Sequence, residues 1–135
     1  MNIQKEMYSW QPKMVLWVRS RLGDDAMFAH ERGMRFLEEA LELAQAVGLT
    51  EAEIDKVKTH VYAKSVGRVE QEIGGVVSTL LTLAQAHGVS MNEAALAEID
   101  RIHNLPREKF RKRQELNAEL GIGAPIGEDR HAKHS

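Results

Sequence analysis

The sequence predicts an all-α protein, a four- to five-helix bundle that is completed by oligomerisation. Three observations carry this. Apolar residues recur at three- and four-residue steps, as in Phe36, Leu37, Ala40, Leu41, Ala44 and Val47. No segment alternates at period two, and there is no Asn-Gly or Asp-Gly hairpin. Two capping boxes, Thr50-Glu51-Ala52-Glu53 and Ser90-Met91-Asn92-Glu93, announce helix starts.

In chain order, residues 1–12 read as an N-terminal arm, with Pro12 suited to the first turn of a helix. A helical domain follows over 13–105. Met14, Val15, Leu16, Trp17, Val18 and Leu22 give its first apolar face, ending near Gly23. Asp24 or Asp25 can cap the next helix, which is expected to run through Met27, Phe28 and Phe36 to Val47 and stop at Gly48. Trp17 and Phe36 fall at core positions by helical spacing. Thr50 opens a helix through Ile54, Val57, Val61 and Tyr62. Gly67 marks a break, and a helix from about Val69 to His87 ends at Gly88. Ser90 opens another, through Ala94, Leu96, Ile99 and Ile102. Pro106 interrupts it and begins a basic C-terminal helix, 106–120, with a flexible tail over 121–135. Leu43–Thr50 returns as Leu83–Ser90, and helix-end chemistry alone explains the repeat.

Composition narrows the function classes. A chain of 135 residues, 43% hydrophobic and 28% charged, makes one globular domain. Aromatics at 5% disfavour a stacking platform for single-stranded nucleic acid. A net charge of −2 gives no global field for a polyanion, so a nucleic-acid partner is not expected. Residues 101–113 are the exception, with six Lys or Arg against Glu108. The absence of Cys removes disulfides, thiolate catalysis and Cys-type zinc sites. No apolar run approaches a membrane span, so a soluble cytoplasmic protein is expected.

The chemistry is concentrated at Glu38, Glu39 and Glu42. Glu39 and Glu42 stand at i, i+3 and Glu38 and Glu42 at i, i+4, so all three crowd two adjacent turns. From Leu37 to Asp55 there are six acids and no Lys or Arg. Such a cluster reads either as a solvated acidic face or as the seat of a missing cation. Carboxylate ligands favour Mg²⁺ or Mn²⁺ over zinc. Arg32 and Arg35 lie within two turns of the acids, and Lys64 and Arg68 precede Glu72. These four are candidate phosphate contacts; each taken singly also fits a solvated helix residue.

Glu38-Glu39-x-x-Glu42, followed by Glu72-x-x-Gly75, resembles the signature of the all-α nucleotide pyrophosphohydrolases, the MazG-like superfamily. The resemblance covers residues 14 to 105. It implies a helical bundle that binds Mg²⁺ through these carboxylates, cleaves nucleoside triphosphates to monophosphate and pyrophosphate, and assembles as a homodimer or homotetramer. On that pattern Glu39, Glu42 and Glu72 would be metal ligands. Glu38 would be the catalytic residue that orients water, or a ligand to a second metal. The sequence departs from the pattern at Gly75, where the family has Asp, and 29 residues separate Glu42 from Glu72, at the long end for the family. Two further readings stand beside hydrolysis. One is a nucleotide sensor with weak or lost turnover. The other is a small helical interaction module using the basic segment. Gly74-Gly75 inside an apolar helix suggests close helix–helix approach, or room at Gly75 for a water or substrate oxygen.

Overall fold

A computed structural model describes residues 3–123, with side chains from residue 10 onward. The chain is all-α, as expected. Its elements are α1 (Ile3–Leu22), a 3-10 turn (Asp24–Met27), α2 (Ala29–Ala46), α3 (Glu51–Tyr62), α4 (Val69–Ala86), α5 (Met91–His103) and α6 (Arg107–Glu119), with no strand among the described residues. They fall into two compact units. The first holds α1, the turn, α2 and α6; the second, Gly48–Leu105, holds α3, α4 and α5. The tail expected over 121–135 lies outside the described residues from 124 onward.

Two helix starts differ from expectation. Helix α1 begins at Ile3 and carries Pro12 in its interior, so residues 3–12 are not a separate arm. The apolar series Ile3, Met7, Trp10, Met14 and Trp17 runs at four- and three-residue steps through the proline. One stripe thus continues across the missing N–H. The second difference is at Asp24 and Asp25, which open the 3-10 turn instead of capping α2. Gly23 takes φ 81°, a conformation that ends α1, and its N–H bonds the Arg19 carbonyl at 3.0 Å. Phe28 is extended and precedes α2.

The repeated segment is a repeated helix end. Gly48 and Gly88 have φ 90° and 65°, left-handed backbone that suits glycine. Two residues later Thr50 and Ser90 accept hydrogen bonds from the Glu53 and Glu93 N–H groups, at 3.2 and 3.3 Å. The Thr50 hydroxyl also donates to the Glu53 carboxylate at 3.0 Å. Thr50→Ala is expected to cost about 1 kcal/mol of stability, read as a shift in the urea midpoint, whereas Thr50→Asp restores it.

The core of the first unit lies between α1, the turn and α6. Trp17, Val18, Ala26 and Phe110 are buried there. The Trp17 and Phe110 rings meet edge to face, with centroids 5.0 Å apart and planes at 78°. Arg107 reaches from the start of α6 to donate to the Ser20 carbonyl at 2.6 Å. Helix α2 is arranged differently. Its Glu31 is buried, while Phe36, Leu37, Leu41 and Leu43 are exposed. Trp17 therefore fills the core position read from its spacing, and Phe36 does not.

The second unit buries little. Ile102 is its one buried residue, and Ile54, Val77, Leu80, Leu83 and Ile99 are half-buried. Among the described residues, α3, α4 and α5 make no helix–helix contact as extensive as those of α1 with the turn and α6. Gly74 and Gly75 are exposed, and a Cβ at either would meet nothing within 4 Å. Among the described residues no close approach accounts for the pair.

Candidate functional site

Helix α2 carries one face of alternating charge. Glu31, Arg35 and Glu38 follow one another by four and three residues, which stacks them on consecutive turns. Arg35 Nε lies 3.5 Å from Glu31 and its Nη1 lies 2.8 Å from Glu38. Its Nη2 donates to the Ile122 carbonyl just beyond α6, and Gly123 packs beside it. With its side chain only 18% exposed, Arg35 serves as a strut tying α2 to the end of α6. Glu38 is thus engaged by an internal cation. Sequence inspection from Leu37 onward missed this, because the compensating Arg35 lies one turn earlier.

Glu39 and Glu42 are exposed on α2, one turn apart. Arg32 is half-buried, and its Nε has no hydrogen-bond partner. Burial pushes the Arg32 pKa below its ordinary value; Glu31 acts to raise it and Arg35 to lower it further. A guanidinium in that condition gains from an anion brought against it.

The rest of the six-acid run has structural work to do. Glu51 and Glu53 sit in the first turn of α3, where the helix dipole favours negative charge. Asp55 pairs with Lys58 at 3.0 Å.

Glu72 is carried by the first turn of α4, in the second unit, while Glu38, Glu39 and Glu42 share α2 in the first. Its carboxylate folds back over Gly67, where an added Cβ would displace it. Lys64 and Arg68 are exposed in the segment before α4, and Arg68 lies 4.0 Å from Glu70. Gly75 stands one turn after Glu72 with open space around it. Among the described residues no group of three or more His, Asp or Glu forms a cluster able to hold a metal ion.

The basic segment is divided as well. Arg101 belongs to α5 and pairs with Glu98, while Arg107 and Arg111 of α6 are engaged by Ser20 and Glu115. Lys109, Lys112 and Arg113 are exposed. Phe110, which sequence reading passed over amid these charges, is the core anchor of the helix; with Gln114 and Asn117 it marks an inward face at i, i+4, i+7. His131 and His134 lie outside the described residues.

No helix among the described residues is long and apolar enough to cross a membrane. Comparison of the chain with protein-family models, with curated proteins and with solved structures finds no match.

Proposed function

We propose that this chain hydrolyses nucleoside or deoxynucleoside triphosphates to monophosphate and pyrophosphate in the presence of Mg²⁺ or Mn²⁺. The observation that supports the reading best is the exposed face of α2. Glu39 and Glu42 offer hard oxygen donors one turn apart, in the same helix as an Arg32 guanidinium whose Nε is buried without a partner. That donor chemistry fits Mg²⁺, with Glu39 and Glu42 as the holding residues on α2. The ion would neutralise the triphosphate. Arg32 would bind phosphate oxygens. Glu38 would orient the attacking water, and Arg35 would position Glu38. The resemblance of Glu38-Glu39-x-x-Glu42 and Glu72 to the MazG-like signature supports the same assignment. On this reading the enzyme works in the cytoplasm as a homodimer or homotetramer.

A second reading, a nucleotide sensor, draws on the Arg35–Glu38 ion pair and on Gly75. Glu38 is already engaged by a guanidinium at 2.8 Å, and Gly75 carries no side chain where the family has Asp. Pyrophosphate release from a panel of triphosphates with Mg²⁺ or Mn²⁺ separates the two. The hydrolase reading expects release, and expects Glu42→Gln to lower it by about a hundredfold or more. Thermal stabilisation by nucleotide with no release from any substrate transfers the assignment to the sensor. Salt-sensitive binding to nucleic acid without any nucleotide effect leaves only the interaction module.

A further inference from the structure

We propose that the turn closing α6, Gly121–Gly123, is a latch on Arg35 that holds Glu38 in place. Helix α6 and this turn lie beyond residues 14–105, over which the resemblance of the acid signature extends. The latch therefore adds positioning residues that the signature does not contain. For the role of Glu38 it rests on the hydrolase reading. All of its parts belong to the first unit.

The end of α6 builds the turn. The Gly121 N–H donates to the Ala118 carbonyl at 3.1 Å, and the Ile122 N–H donates to the Asn117 carbonyl at 2.9 Å. With Gly121 at φ 73°, these two bonds close the helix on a left-handed residue. The closure fixes the Ile122 carbonyl relative to α6, and that carbonyl accepts from Arg35 Nη2. Gly123 then passes beside the same guanidinium. A Cβ there would stand 3.1 Å from the Asn117 Cβ and 3.6 Å from Arg35 Nη2. Asn117 is 5% exposed and has little room to give way, so glycine fits where a larger residue would push the turn outward.

Arg35 passes the constraint on. Its planar guanidinium meets Ile122 with Nη2, Glu38 with Nη1 at 2.8 Å and Glu31 with Nε at 3.5 Å. Contacts to three sides of a rigid fork fix its orientation as well as its position. Glu31 and Glu38 stand on the same helix as Arg35 and move with it. The Ile122 carbonyl ties the fork to another element. Without that bond Arg35 keeps two ion pairs along its own helix, which hold a long side chain weakly. An acid that orients water must be held to within about 0.5 Å, and supporting contacts of this kind supply such precision.

The test opens the latch without touching α2. Gly123→Val crowds Asn117 and Arg35, and Gly121→Val places a β-branched residue at φ 73°. Gly121→Asn is the conservative control, since Asn accepts left-handed backbone. Phe110 anchors α6 about three turns earlier, and tryptophan fluorescence checks that this anchor is kept. In nucleotide-free protein, exchange of the Arg35 Nε–H with water, followed by NMR, is expected to quicken about tenfold or more in both valine variants. In Gly121→Asn it is expected to stay within about twofold of wild type. With Mg²⁺ and a triphosphate, kcat for pyrophosphate release is expected to fall about tenfold in the valine variants while KM changes less than about twofold. Gly121→Asn is expected to keep the wild-type kcat.

Unchanged exchange in the valine variants overturns the latch. Faster exchange at wild-type kcat overturns it as well, because the turn then holds Arg35 without positioning Glu38. Wild type that releases no pyrophosphate ends the hydrolase reading separately, and the exchange rates then decide the latch by themselves. If Gly123→Val fails to fold, Gly123→Ala takes its place, since its single methyl meets the same two neighbours.

Discussion

Phe110→Ala is expected to lower the unfolding free energy by about 3–4 kcal/mol. Phe110 is 8% exposed and sets its ring edge to face against Trp17, itself 9% exposed. Removing the ring withdraws the partner of Trp17 and opens a void between α1 and α6. The void cannot close easily, because Arg107 fixes the start of α6 to the end of α1 through the Ser20 carbonyl. Phe110→Leu separates the two contributions. It keeps most of the apolar volume and gives up the aromatic pairing, so it should cost about 1–1.5 kcal/mol. Urea unfolding followed by tryptophan fluorescence measures both. A loss under about 1 kcal/mol for Phe110→Ala would mean that α6 is not anchored by this pair.

The anchor shows where local sequence patterns inform and where they fall short. Helix class, the caps at Thr50 and Ser90 and the stops at Gly48 and Gly88 are written in residues a few positions apart, and the structure has them all. Pro12 is a local signal that points the wrong way. A proline suits a first turn, yet the apolar series from Ile3 to Trp17 continues through it and the helix follows the series. Phe110 has the opposite problem. One apolar residue among Arg and Lys carries little periodic signal, and its burial depends on Trp17, ninety-three positions earlier. Which side of α2 turns inward is equally non-local. The hydrophobic pattern favours burial of Phe36, Leu37 and Leu41. The buried position is instead Glu31, on the side where Arg35 reaches the turn after α6.

The candidate site was legible to a similar depth. Residue types and spacing isolate Glu38, Glu39 and Glu42 on adjacent turns of one helix, and α2 carries them so. Spacing does not give the pairing. It places Arg35 and Arg32 alike near the acids, yet Arg35 lies against two carboxylates and donates to the Ile122 carbonyl, whereas Arg32 is half-buried with Glu31 as the carboxylate acting on it. Two cations that look equivalent in the sequence thus have different roles. One ties α2 to the end of α6, and the other is half-buried near Glu31.

That difference sets the second large effect. Arg35→Met keeps the aliphatic stem and removes the guanidinium. Glu31, 8% exposed, then loses this pairing, Glu38 loses its nearest cation, and the Ile122 carbonyl loses a donor. Breaking a fully buried pair costs about 3–5 kcal/mol; with Arg35 still partly accessible, about 2–3 kcal/mol is expected. The exposed Lys58–Asp55 pair, with side chains 63% and 59% exposed, supplies the contrast, and Lys58→Met should cost no more than about 0.5 kcal/mol. Arg35→Met combined with Glu31→Gln should recover part of the loss, because the carboxylate charge is removed along with its partner. A double-mutant cycle from urea unfolding without nucleotide should therefore show coupling between 31 and 35 of about 1 kcal/mol or more. A solvated phosphate ligand would behave otherwise. Its removal would leave the nucleotide-free stability within about 0.5 kcal/mol of wild type and be felt only when a triphosphate is bound. Under that outcome Arg35 would rejoin Arg32 as a substrate contact, and Glu38 would lose its strut as an explanation for its half-burial.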